Sequence, residues 1–320
     1  MATTITSTQV VTDFGAYYID QGQNMSNIHD RLREDFGTRA AFNVIESEDT
    51  VLREVNVAYA EVLQSFQTTF TPKGGVTFTP KSIPLYNVKM DQSFYPDALK
   101  NQWIAFLTSN NTDRTTWPFV AWFIEIYCMG QIKADLEKVI YKAVFNAPTA
   151  GIANNAVDTM NGIKKTINTG ITGATIAPIM TGAPSTDPET WCNQVEDFVS
   201  AIPELYWSTG LTINMSRVLA KRYKKGRRIK YNINYAQVND LTVVEDFENV
   251  TIAGYGSHAG ATKIWTTPKL NSVLGFKGGS NQNTVEVEKV DRLVKIYTDF
   301  WIGMGFIDDG IIFTNDQDLS

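Results

Sequence analysis

The sequence predicts an α+β fold from three observations: a glycine-tipped ribbon of strand-forming residues in the first third, one long amphipathic helix before the middle, and strand signals in succession from residue 241 to the end. The 320 residues are 43% apolar, 12% aromatic and 19% charged, a globular composition with room for about two domains.

The first fifty residues mix Thr, Ser, Gln and Asn with scattered apolar side chains. Between Asn27 and Phe42 stand His29, Asp30, Arg31, Arg33, Glu34, Asp35 and Arg39, with little to bury. Residues 1–50 therefore read as an extended arm, or as a frayed terminus if nothing docks on them. Residues 51–95 form the hairpin region. Val62, Phe66 and Phe70 lie on one face of a period-2 ribbon, Pro72-Lys73-Gly74-Gly75 turns the chain, and Val76 and Phe78 resume the alternation. The ribbon is rich in Thr and poor in core-filling residues, with Pro80 and Pro84 on its returning arm. A lone two-stranded hairpin is marginal in water, so it needs a surface to lie on, either its own domain or a neighbouring subunit.

Within residues 96–150 the clearest helix opens at Trp117-Pro118, with Thr116 at the cap and Pro118 at the first helical position. Ile132, Leu136, Ile140 and Val144 repeat every four residues opposite Lys133, Asp135, Glu137, Lys138 and Lys142. The pattern predicts a helix from Phe119 to Phe145, at ~1.5 Å per residue a rod of roughly 40 Å. Residues 151–255 form a second unit. It begins in a stretch rich in Gly, Ala and Thr, with a short helix near Val157 to Ile167 and a strand near Ala174 to Met180. Asp187-Pro188 then starts a helix with Trp191, Val195, Phe198, Val199 and Ile202 on one face, and Thr209 to Met215 reads as a strand entering a helix capped by Ser216. Taken alone, this unit is α/β or α+β. Residues 256–320 close the fold with strands at Lys263 to Thr266 and Ser272 to Phe276. A long run follows with Val294, Ile296, Phe300, Ile302 and Met304 on one face, and Ile311-Ile-Phe313 comes after the turn Asp308-Asp-Gly310.

The available chemistry is narrow. Two cysteines, Cys128 and Cys192, and two histidines, His29 and His258, fall short of a structural zinc site, and so few thiols in a large chain suit a reducing compartment better than a disulfide. The start lacks the basic and apolar regions of a secretory signal, and the most apolar stretch, Phe119 to Met129, is interrupted by Glu125 and too short for a membrane span. No metal, cofactor or membrane partner is expected. Gly254-Tyr-Gly256-Ser-His-Ala-Gly260 misses the dinucleotide spacing by one residue and reads as a turn. A Ser-His-Asp site would have to use His29 in the arm or His258 in that turn, so no catalytic residue is assigned. The acid pairs Glu245-Asp246, Glu286/Glu288 and Asp308-Asp309, with seven Trp and 13 Tyr, keep open a carboxylate glycoside hydrolase or a sugar-binding protein.

The strongest local feature is Lys221-Arg-Tyr-Lys-Lys-Gly-Arg-Arg-Ile-Lys230. Lys221, Arg222, Lys224, Lys225, Arg227, Arg228 and Lys230 are basic and nothing in the segment is acidic, while the whole chain carries −6. This is either a phosphate-contacting patch or a solvated helix end whose cations suit the C-terminal dipole.

The order of these elements resembles the major capsid proteins of tailed double-stranded DNA bacteriophages, the Hong Kong 97 phage capsid fold. The arm precedes a hairpin at Lys73-Gly74-Gly75 similar to that family's extended loop, and the helix from Phe119 is similar to its spine helix. The Trp191 helix and Leu211-Thr-Ile-Asn-Met-Ser-Arg217 resemble its axial domain, and Lys263 to Gly275 with Val290 to Gly303 resemble the closing strands of its peripheral domain. The resemblance implies a structural subunit, not an enzyme, that self-assembles as hexamers and pentamers into an icosahedral shell around a phage genome. It implies assembly in the host cytoplasm and residence in the virion capsid. Its partners would be portal, scaffolding or decoration proteins and DNA packaged without sequence specificity. Phe66, Phe70, Lys73, Gly74, Gly75, Val76 and Phe78 would form the intersubunit loop, and the basic segment an intersubunit or lumen-facing patch. An encapsulin-type compartment has the same fold around a protein cargo. Some members crosslink a loop lysine to a neighbour's asparagine, for which Lys73 or Lys81 with Asn271 are the available positions.

Overall fold

The computed structural model describes residues 6–14, 37–59, 61–114, 117–231, 242–278 and 285–319. His29 with the charged stretch around it, the Thr116 cap and Leu241 lie outside the described residues. In chain order the helices are α1 (Ser7–Phe14), α2 (Pro96–Ser109), α3 (residues 119–139), α4 (Ile163–Thr172), α5 (Pro188–Ser200) and α6 (Arg217–Lys230). The strands are β1 (Asn43–Ser47), β2 (Val51–Tyr59), β3 (Val76–Pro84), β4 (Tyr86–Phe94), β5 (Thr212–Ser216), β6 (Val243–Val244), β7 (Phe247–Tyr255), β8 (Trp265–Thr266), β9 (Ser272–Lys277), β10 (Glu286–Val290), β11 (Leu293–Phe306) and β12 (Phe313–Thr314).

Two sheets carry the body. In the first, the long strand β11 is antiparallel to β4 along one edge and to β10 and then β9 along the other, and β1 is parallel to β9. Its alternating residues Val294, Ile296, Phe300 and Ile302 are buried as expected, in one core with α3. That helix is shorter than its periodicity implies and is not uniform. A π turn, Phe123–Cys128, widens it where Phe119, Trp122, Phe123 and Tyr127 pack ring against ring. It ends at Val139 because its last carbonyls find another donor. Ile163 and Lys164, at the start of α4, give their N–H groups to Ile140 and Tyr141, and Gly162 gives its own to Ala143, so two helix ends satisfy each other. A Cβ on Gly162 would stand 2.5 Å from the Ile140 oxygen.

The expected arm is packed at both described ends. Val10 and Phe14 of α1 are buried against β10, β11 and the start of α3, with Ser7 Oγ donating to the Asp291 carbonyl at 3.1 Å, and β1 is a full member of the first sheet.

In the second sheet, ordered β12-β8-β5-β7-β6, β5 runs parallel to β7 under the pair α5 and α6. Both helices start as the sequence predicts: Asp187 accepts from Thr190 N at 2.8 Å and Ser216 Oγ accepts from Leu219 N at 3.3 Å. Their close crossing depends on Gly226, where a Cβ would lie 1.9 Å from the Pro188 oxygen. Three expectations need correction here. The strand near 174–180 reduces to one bridge, Ile179 to Asn315, and the helix at 157–167 is a short 3-10 turn, Ala156–Asp158, followed by α4. Residues 256–320 do not close the first sheet alone, since β8 and β12 join the second, where Ile264 and Phe313 complete its core.

Candidate intersubunit surfaces

The hairpin exists, but its strands are not the ones the glycine turn suggested. β2 pairs with β3 from Val51 opposite Pro84 to Tyr59 opposite Val76, as a two-stranded sheet of its own. Val62, Phe66 and Phe70 belong to no strand; they lie in the tip, residues 61–75. Gly74, with φ of 85°, re-enters β3 rather than turning a tight hairpin. Alternation was present in the sequence, but a register needs a partner, and here the partner is 51–59.

The ribbon is rooted where the first sheet has no side chains. Leu52, Ile83 and Leu85 are buried on Val273. A Cβ on Gly275 would stand 2.5 Å from Leu52 Cδ1, one on Gly303 2.3 Å from the Pro84 oxygen, and one on Gly305 2.7 Å from Ile83 Cγ1. Three glycines in otherwise strong strand patterns are the sequence signal for this close backbone approach. Lys81 Nζ adds an ion pair to Asp309 at 2.6 Å, and Asp309 also accepts from Thr175 Oγ1 at 2.9 Å.

Beyond this root the ribbon carries exposed apolar side chains: Leu63 at 83%, Phe66 at 93%, Phe70 at 90% and Phe78 at 65%. The side chain of Val76 lies outside the described residues. The tip is tied by polar contacts of its own, Gln64 to the Thr71 carbonyl, Gln67 to the Thr71 hydroxyl and Lys73 to Glu61 and the Leu63 carbonyl. Its shape is held locally while its phenylalanines face water.

The basic segment is the C-terminal two-thirds of α6 and is not one patch. Arg227 is buried, donating to the Val243 carbonyl at 2.6 Å and pairing with Glu245; Arg222 donates to the Ser185 carbonyl at 2.6 Å; Lys230 pairs with Glu196. Lys221 and Lys225 are exposed on the opposite side, with Lys224 and Arg228 half-buried beside them. The Asp187 carboxyl is held below its usual range by the Thr190 N–H and hydroxyl and, further off, by Lys225.

The acid pairs named as candidate carboxylates are held in structural contacts or stand on open surface. Glu245 is spent on Arg227, Asp309 on Lys81, and Asp308 caps Gly310, while Glu286 and Glu288 alternate along the exposed side of β10. None of the seven tryptophans is exposed, so the sugar-binding alternative loses the tryptophan surface it would stack a ring on. His258 is fully buried between Ser257 and Trp265. Cys128 and Cys192 are buried free thiols, and burial pushes each up to about 12. The crosslinking positions are also committed: Asn271 is buried, donating to Thr267 Oγ1 and the Asp308 carbonyl and accepting from Asp308 N, and Lys81 holds Asp309.

No family model matches the sequence, and no curated protein matches it. Solved structures do. A chain of the satellite phage P4 procapsid that includes the size determination protein superposes with a TM-score of 0.57 at 12% identity, over 93% of this chain and 98% of that one. The capsid of the native GTA particle gives 0.53 at 13%, over 88% and 89%, and the capsid of Myoviridae phage XM1 gives 0.53 at 10%, over 87% and 91%. The chain has the Hong Kong 97 phage capsid fold. At such identities what is shared is the fold.

Proposed function

We propose that the chain is the structural subunit of an icosahedral phage shell, assembling with copies of itself as hexamers and pentamers. The hairpin carries this reading. A two-stranded ribbon with Phe66 and Phe70 nine-tenths or more exposed is a poor structure for a solitary protein, and covering each phenylalanine on a neighbour contributes about 1.5–3 kcal/mol. On this reading the first sheet with α3 is the peripheral domain, the second sheet with α5 and α6 the axial domain, and the 51–84 ribbon the extended loop. The chemistry is distributed over interfaces, with no catalytic centre. Without the Lys221 to Lys230 segment the chain has 21 basic against 34 acidic residues, a balance that keeps the subunit from binding packaged DNA tightly. Scaffolding, portal or decoration proteins are the further partners of such a shell, and the host cytoplasm is where it assembles.

Electron microscopy of the purified full-length protein, with light scattering on the same sample, tests the reading. Closed shells tens of nanometres across are the expected result, and their diameter and contents separate a genome shell from a smaller compartment around protein cargo. A uniform monomer or dimer, unchanged by crowding agent or a scaffolding partner, overturns it.

A further inference from the structure

Charge is segregated along the second unit. Residues 181–216 hold five acidic residues and no basic one, and residues 217–230 hold eight basic residues and no acidic one. Because α5 and α6 lie side by side over the second sheet, this segregation becomes two adjoining surfaces of opposite sign. The outward face of α6 carries Val218, Lys221, Lys225 and Ile229, one on each successive turn and all exposed, with the two apolar residues at the ends. The outward face of α5 carries Glu189, Asn193 and Asp197, also exposed and also on successive turns. Neutralisation inside the subunit uses other groups: Arg227 takes Glu245, Lys230 takes Glu196, and Arg222 takes a backbone carbonyl. Glu189, Asp197 and Lys221 have no ion-pair partner among the described residues.

We propose that the outward face of α6 docks on the outward face of α5 of a second copy, Lys221 and Lys225 meeting Glu189 and Asp197, with Val218 and Ile229 covered at the ends of the contact. The proposal rests on the shell-subunit reading and names the partner of its second unit. The two faces sit at different places on one subunit, so the contact is heterologous and repeats from copy to copy until a ring closes. Electrostatic complementarity of this kind sets orientation and excludes wrong registers more than it adds raw affinity. It also gives the basic helix a protein partner in place of a phosphate backbone.

Charge exchange in the full-length protein tests it. Lys221→Glu with Lys225→Glu is one variant, Glu189→Lys with Asp197→Lys a second, and all four together a third, each followed by thermal melting, shell yield and the nucleic-acid content of the particles. The two double variants are expected to melt like the wild type and to lose shell yield by about tenfold or more, and the fourfold variant to recover most of it. Double variants that assemble as well as the wild type overturn the proposal, and if their particles also lose nucleic acid, α6 belongs to DNA instead. A fourfold variant as poor as either double overturns the pairing. A wild type that forms no shells is a failure of the shell reading, and the pairing falls with it.

Discussion

His258 shows how far a residue's type is from its role. Trp265 Nε1 donates to its Nε2 at 3.0 Å, which leaves the proton on Nδ1 to donate to Ser257 Oγ at 2.9 Å, and Ser257 meets Thr38 Oγ1 at 2.6 Å. The ring is a neutral, satisfied core residue joining β8 to the 37–41 turn, and burial pushes it down to about 3 from its ordinary 6.5. At this site the folded protein therefore binds fewer protons than the unfolded chain between pH 6.5 and about 3, and the site's contribution to stability falls with pH across that window, approaching about 1.4 kcal/mol per pH unit. Asp318 acts in a lower window. Against the pull of burial, Thr262, the Lys263 N–H and Tyr141 hold its carboxyl below the ordinary 3.8, so its contribution is lost only under that value. Unfolding titrations between pH 6.5 and 4 should thus show a steep loss in the wild type that His258→Gln flattens while lowering the starting stability; parallel slopes would refute the assignment. A sequence offers two histidines and a glycine turn here, and only the packing of Trp265 and Tyr141 on the ring says which kind of histidine this is.

Among the elements, the row Gly275, Gly303 and Gly305 makes the most specific demand. An alanine at Gly303 puts its Cβ on the Pro84 carbonyl, so Gly303→Ala should lift the hairpin root and destabilise the subunit by roughly 1–3 kcal/mol. Gly75→Ala, with nothing within 4 Å, should change stability by less than about 0.5 kcal/mol; denaturant unfolding compares the two. Most elements were legible because their causes are local. Asp187-Pro188 and Ser216 announce α5 and α6, and the alternation of β11 announces its buried face. What was misread has distant causes. Val144 continues the four-residue repeat of α3, yet the carbonyls that would extend the helix are taken by residues 162–164. Val62 and Phe66 alternate like a strand and have no strand beside them. The basic segment was legible as a cluster, but which of its cations are spent on Glu196 and Glu245 is decided by tertiary packing.

At the scale of the whole molecule, the side chains that complete the fold and those the shell reading assigns to assembly are different ones. The two main cores are complete within one chain, whereas Phe66 and Phe70 contribute nothing to either. Phe66→Ser with Phe70→Ser should leave the melting temperature within a few degrees of the wild type and abolish shells by light scattering; unimpaired assembly would count against the loop as an interface. The hairpin also has a mechanical meaning. β3 passes through Leu85 directly into β4, and β4 is paired with β11 over nine consecutive positions, from Tyr86 opposite Ile302 to Phe94 opposite Val294. On the shell reading, a load that a neighbour places on the tip passes from β3 through Leu85 into β4, and the component along β4 is shared by the whole ladder to β11 in shear. On that reading the loop is a tether spliced into the sheet, one residue from the strand that carries its load into the body.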